Sequence, residues 1–278
     1  MFKINLEFPE KIEKIIQIPT VFIHGIVGTH RDWSPFILQT CGNQFHKVSL
    51  DYEFKSNLKI IHKKPNLSSS VWIVSYYVNN RIRELVEGNL RNYAIRLRQL
   101  IQYIIIFSNT QKINLVGHSM GGILARYYMC MGEQEWNSVH KILCLGSPHE
   151  GIPIPHPTFM PQVEDLKKGS HFLMKMNRKW NYYNSIQKSR WGVIGSINPY
   201  SITNLFRSMA YKTDSGGMGS VVLSSCIPFG EWKEAIQMPG LPAYNTKNFS
   251  YRLFLEEHHN HLLNSKATHL GINWLVEE

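Results

Sequence analysis

Apolar residues along the chain follow two alternating patterns. Short runs rich in β-branched and aromatic residues are bounded by Gly, Pro, Asn or Ser. Between them lie longer stretches in which apolar positions recur every three or four residues. The short runs predict strands at residues 19–23, 44–50, 71–78, 112–116, 141–145, 191–197 and 251–255. The longer ones predict a helix over 88–108, with Leu90, Tyr93, Ala94, Leu97, Leu100, Ile101 and Ile104 on one face, a second beginning at Ile123, and a third over 264–276, with Ala267, Leu270, Ile272, Trp274 and Leu275 toward its packing side. Strands that alternate with helices in this way predict an α/β fold, a mostly parallel sheet with crossover helices. Residues 151–190 interrupt the rhythm. They are rich in Pro, Lys, Asn and aromatics and read as an excursion from the sheet, the natural place for a cap or lid. Nothing resembles a linker, so one domain is expected over residues 1–278.

The chemistry gathers where the strand at 112–116 ends, in Gly117-His118-Ser119-Met120-Gly121. A strand that turns abruptly into a helix places a serine at the apex in strained backbone, with φ expected above zero, and small residues two before and two after prevent clashes. The preceding strand, the following helix and the additional Gly122 are the context this motif requires, and they mark the α/β-hydrolase fold with Ser119 as nucleophile. A serine hydroxyl needs a base, and the base needs an acid to orient it, in the chain order Ser, Asp or Glu, His. The base is therefore sought among His258, His259, His261 and His269. His259 leads, because Leu262 and Leu263 behind it can return to the core while the ring faces Ser119. His261 is the rival, and His269 falls inside the final helix. Asp214 is the candidate acid by elimination, since the only other aspartate after Ser119 is Asp165; an ordinary turn-forming aspartate is the competing reading. The tetrahedral oxyanion of ester cleavage needs fixed N–H donors. Met120, next after the nucleophile, and Ile26, in the glycine-containing loop His24-Gly25-Ile26-Val27-Gly28, are the expected pair.

These segments together resemble the α/β-hydrolase lipases. Residues 21–28 resemble their first oxyanion segment, and residues 114–128 their elbow. Leu145-Gly146-Ser147-Pro148-His149-Glu150-Gly151 is similar to the following strand end and turn in bacterial triacylglycerol lipases and in GPI inositol-deacylase-like hydrolases. Residues 166–173 look like the insert segment of that group. The resemblance implies a lipid or other ester as substrate, and the spacing from His259 to Leu262, Leu263 and Ser265 favours His259 over His261. The family usually carries a compact Asp-Gly-Val-Val at its acid. Here Val221-Val222 follows Gly219-Ser220, and Asp214 stands five residues before Gly219.

Composition adds limits. The 278 residues carry a net charge of +10, with a pI near 9.4. The cations are dispersed; the densest group, Arg81, Arg83, Arg91, Arg96 and Arg98, reads as a solvated helix face, with an anionic membrane surface as the lesser alternative. No nucleic-acid partner is expected. Cys41, Cys130, Cys144 and Cys226 lack metal or disulfide spacing and read as reduced core thiols. Neither cofactor nor metal is expected. No secretory signal and no apolar run of transmembrane length is seen, so the expected location is cytoplasmic, with peripheral membrane contact as a variant. The aromatic insert, including Phe159, Phe172, Leu173, Met176 and Trp180, serves either an acyl pocket or lid or ordinary packing. The functional expectation is a serine lipase or carboxylesterase. The alternatives are a phospholipase or thioesterase of the same fold, and a catalytically weakened binding protein that keeps it.

Overall fold

The structure, a computed structural model, describes residues 17–54, 57–66, 68–78, 84, 86–154, 158–198, 200–201, 212–214, 221–264 and 266–277. Its centre is a nine-stranded sheet in the order β3-β2-β4-β1-β5-β6-β7-β9-β8. The strands are β1 (Thr20–Ile23), β2 (His46–Phe54), β3 (Asn57–Lys63), β4 (Val71–Val78), β5 (Ile113–His118), β6 (Val139–Leu145), β7 (Trp191–Ser196), β8 (Ala243–Tyr244) and β9 (Tyr251–Leu255). All pairings from β2 through β9 are parallel, and β3 and β8 close the two edges antiparallel. Parallel strands end at one edge of a sheet, so the loops after β1, β4, β5, β6, β7 and β9 are gathered there.

Each central strand feeds two cores. On one face Val21, Ile23, Trp72, Val74, Leu115 and Ile142 pack beneath α2 (Leu90–Phe107) and α3 (Met120–Met129). On the other Phe22, Val71, Ile73, Val116 and Leu143 meet Trp33, Phe36 and Ile37 of α1 (His30–Cys41) and Ile272 and Leu275 of the final helix, Lys266–Val276. Successive side chains of a strand point to opposite faces, which is why a strand covered on both reads as a continuous apolar run.

Helix α1 and strand β3 are among the elements the pattern did not announce. Helix α1 buries Trp33, Phe36, Ile37, Thr40 and Cys41 at helical spacing, but Pro35 lies inside it and reads as a breaker. Strand β3 is the edge sequence Asn-Leu-Lys-Ile-Ile-His-Lys, in which lysines protect an exposed edge and dilute the apolar signal. Helix α3 starts at Met120, three residues before the expected Ile123, because the turn at Ser119 passes directly into it.

The segment 151–190 contains Pro161–Asp165 and a longer helix, His171–Ile186, on the connection from β6 to β7. Leu173, Met176 and Trp180 of that helix are buried in the main core, and Phe172 stacks on Tyr127 at 4.7 Å between ring centres. Phe159 and Tyr182 remain exposed. The arginine face also sorts itself. Arg81 and Arg83 lie outside the described residues, Arg96 is paired with Glu84 at 2.7 Å and Arg98 with Glu135 at 2.6 Å. Arg91 is exposed, and Arg96 and Arg98 make intramolecular ion pairs. All four cysteines are buried free thiols. Among the described residues no helix is long and apolar enough to cross a membrane.

A polar chain ties the β2–β3 edge to α2. His46 Nε2 faces the Ser69 carbonyl at 3.1 Å and must carry its proton there. His46 Nδ1 then accepts from His62 Nε2 at 2.8 Å, and His62 Nδ1 accepts from the Tyr103 hydroxyl at 2.9 Å. The His46 ring lies flat on Trp72, 3.8 Å between centres. Burial, then the neighbouring His62, lower the His46 pKa from 6.5 to about 4. The unfolded imidazole binds a proton that the folded one refuses, so this contribution is complete above pH 6.5 and is lost as pH falls toward 4. His46→Gln is expected to reduce the fall in melting temperature between about pH 7 and about pH 4.5 by about 2–5 °C, measured by thermal scans. The buried His118 and His149, whose pKa values are also lowered by burial, keep a residual slope of the same sign.

Candidate active site

The strand-to-helix turn after β5 puts Ser119 at φ 54° and ψ −126°. Its N–H donates to the Leu145 carbonyl at the end of β6, 2.7 Å away. The flanking glycines are required by contact. A Cβ on Gly117 would come within 2.5 Å of Gly122 backbone, and one on Gly121 within 2.5 Å of the Ile23 and His24 carbonyl oxygens. The elbow is thus wedged between β1 and β6, with the N-terminus of α3 directed at the serine.

His259 opens a 3₁₀ turn (His259–Leu263) just after β9. Its imidazole lies against Gly146, where a Cβ would stand 2.9 Å from Nδ1. Gly146 directly follows Leu145, the residue that holds Ser119, so the ring and the serine flank one short piece of backbone. Among the described residues the Ser119 hydroxyl makes no hydrogen bond.

Asp214 is fully buried and meets His259 twice. Its Oδ2 accepts from His259 Nδ1 at 2.5 Å, and its carbonyl accepts from the His259 N–H at 2.9 Å. With Nδ1 committed to the carboxylate, Nε2 is the nitrogen free to take a proton. The second carboxylate oxygen accepts from the Val221 N–H at 3.0 Å, and the Asp214 N–H donates to the Val221 carbonyl at 3.2 Å. Thr213 and Val222 form an antiparallel bridge. Asp214 and Val221 are thereby neighbours in space although six positions, 215–220, separate them; these lie outside the described residues.

The rival residues are elsewhere. His261 is exposed, with its ring toward His258 at 5.6 Å between centres. His269 packs on Phe36. Asp165 accepts from the Leu90 N–H at the start of α2. Of the expected oxyanion donors, neither Ile26 N–H nor Met120 N–H has an acceptor among the described residues. A Cβ on Gly25 would lie 3.0 Å from the Ser119 Cβ, whereas Gly28 makes room for the Asp32 carboxylate.

Sequence reasoning passed over His118. It is buried, donates from Nε2 to the His259 carbonyl at 3.2 Å, and its ring lies 4.5 Å from that of His259. Burial, then the neighbouring His259, hold its pKa well below the usual imidazole range. It stays neutral and steadies the backbone of His259. Its place in the elbow motif was the available signal. Among the described residues no cluster of three or more His, Cys, Asp or Glu could hold a metal.

The sequence matches the family described as a PGAP1-like alpha/beta domain over residues 14–224. The chain belongs to this family. It is 26% identical over 205 residues to a Kluyveromyces lactis protein named GPI inositol-deacylase, covering 68% of this chain and 20% of that one. A Yarrowia lipolytica protein named GPI inositol-deacylase B is 28% identical over 156 residues, covering 51% and 14%. The chain thus spans a fifth or less of these relatives. Among solved structures, a Listeria innocua gene product shares the fold with a TM-score of 0.58 at 16% identity, covering 94% of each chain. A Bacillus licheniformis lipase in propeptide form matches with a TM-score of 0.58 at 14% identity, covering 99% of this chain and 52% of its own. The α/β-hydrolase fold of a PGAP1-like domain is therefore the frame of the site.

Asp214 joins the His259 turn to the Val221 segment in the interior. Asp214→Ala leaves the Val221 N–H and the His259 Nδ1 without their partner, and is expected to lower stability by about 2–3 kcal/mol, read from urea unfolding of the two proteins.

Proposed function

We propose that this chain is a serine hydrolase that cleaves carboxylic esters, with Ser119 as nucleophile, His259 as base and Asp214 as the orienting acid. The observation that carries the reading is the His259 Nδ1–Asp214 Oδ2 bond of 2.5 Å, set beside a serine at positive φ. In this mechanism Nε2 of His259 takes the Ser119 proton while the serine oxygen adds to the ester carbonyl. The oxyanion is met by the N–H groups of Ile26 and Met120. The imidazolium then protonates the leaving alcohol, which departs as the acyl-enzyme forms. Water, deprotonated by His259, attacks the acyl carbon, and Ser119 recovers its proton as the acid is released. The Asp214 carboxylate orients the imidazole and stabilises the imidazolium as it forms.

The substrate class is a lipid acyl ester. The names of the fungal relatives support it, and they make an acyl ester on an inositol-bearing glycolipid the first candidate to test. The same machinery serves a lipase or a phospholipase.

A fluorophosphonate probe is expected to label the wild type and not Ser119→Ala. An unlabelled wild type would instead leave a binding protein that keeps the fold. In a chromogenic ester assay His259→Ala is expected to lower kcat by about 10⁴-fold and Asp214→Asn by about 10²- to 10⁴-fold. His261→Ala is expected to stay within about twofold, being remote from the carboxylate. An ester panel of increasing acyl length, assayed below and above the micellar limit, checks the lipid preference: activity confined to short soluble esters would count against it.

A further inference from the structure

Three successive amides follow Gly25 in the loop after β1, and two of them are occupied. The Gly28 N–H donates to the Gly25 carbonyl at 3.2 Å, and the Val27 N–H donates to the Tyr77 hydroxyl at 3.2 Å. Ile26 N–H has no acceptor among the described residues. Its direction is set by the carbonyl at the other end of the same peptide. That carbonyl, of Gly25, accepts from three donors: Gly28 N–H, the His24 ring at Nδ1 (2.8 Å) and the Tyr76 hydroxyl (3.2 Å). The Tyr76 proton is shared with the His24 carbonyl at 3.0 Å. No described peptide is cis. In a trans peptide C=O and N–H point in opposite directions, so pulling the Gly25 oxygen toward Tyr76 turns the Ile26 N–H away from it.

Tyr76 is equipped for this task. It sits on β4, the parallel neighbour of β1, with Ile23 in register with Val74. It is fully buried, and its ring is stacked on His24 at 4.2 Å and 12°. Burial and the adjacent Tyr77 push its pKa well above the usual phenol range, so the hydroxyl keeps its proton. Gly25 also packs close to the serine: a Cβ added to it would stand 3.0 Å from the Ser119 Cβ.

We propose that Tyr76 is a positioning residue for the oxyanion site: its hydroxyl fixes the Gly25–Ile26 peptide so that the Ile26 N–H points toward the oxygen formed at Ser119. The assignment rests on the serine-hydrolase reading and adds to it a residue 43 positions before the nucleophile, on another strand. An oxyanion donor acts only as charge develops, so misaiming it lowers kcat and leaves KM nearly unchanged.

The test compares the full chain with Tyr76→Phe and Tyr93→Phe. Tyr93 belongs to the same aromatic cluster but donates to the Glu84 carbonyl, away from the loop. Tyr76→Phe is expected to lower kcat by about 10- to 100-fold with KM within about twofold, and to weaken a trifluoromethyl ketone inhibitor in the same proportion. Tyr93→Phe is expected to keep kcat within about twofold. A labelled, active wild type whose Tyr76→Phe variant keeps its kcat overturns this assignment alone. An unlabelled wild type overturns the hydrolase reading and this assignment with it. Should Tyr76→Phe not fold, nuclear magnetic resonance of the wild type decides. The Ile26 amide proton is expected to move downfield when Ser119 is phosphonylated, and an unmoved resonance overturns the proposal.

Discussion

A non-glycine residue held at positive φ needs its surroundings to determine it from several sides, and the site is organised around that requirement at Ser119. The serine is gripped from β6 through the Leu145 carbonyl, and Gly121 presses α3 against the carbonyls of Ile23 and His24. These contacts draw together the ends of β1, β5 and β6, adjacent strands at the middle of the sheet. Each strand end then adds to the surroundings of Ser119. The loop after β1 brings the Ile26 amide, the turn after β6 brings Gly146, and the imidazole rests on that glycine. Strain at one residue is sustained because the most deeply buried part of the sheet has no room to relieve it.

What was legible in the sequence had local causes. The elbow is five residues whose meaning is set by a strand before and a helix after, and both could be read from periodicity. Strands β1, β4, β5, β6, β7 and β9 were legible because burial on two faces makes them largely apolar, and β2 because its buried positions alternate with partly exposed ones. His259 could be preferred on its position in a loop. Asp214 was reached by elimination, and the structure places it against His259 and not against His261. The missed features depend on distant partners. Nothing in Ser75-Tyr76-Tyr77 indicates that two hydroxyls will meet the backbone of residues 24–27. Nothing near His118 indicates that its ring will support a carbonyl 141 positions away. Helix α1 was hidden by one proline, and β3 by the lysines that suit an edge.

One buried cation lies on the helix that follows Ser119. Arg126, on the elbow helix, is enclosed between Trp180 and Trp191, each ring centre 4.5 Å from the guanidinium. It reaches His149 at 3.3 Å and Asn177 at 3.2 Å. Burial lowers its pKa to about 10, which leaves it charged at neutral pH. Two aromatic faces and two neutral partners replace the carboxylate such a group usually finds. The elbow helix is thereby fastened to the turn after β6 and to the helix His171–Ile186. The segment that reads in sequence as an excursion is in this way part of the frame behind Ser119.

The backbone closure between Asp214 and Val221 bears on how such a domain can diversify. Because the carboxylate is anchored where the two strands of chain meet, its position does not depend on the length of what joins them. A related chain with a different number of residues between these two positions can hold its carboxylate in the same place, provided the bonds between residues 214 and 221 survive.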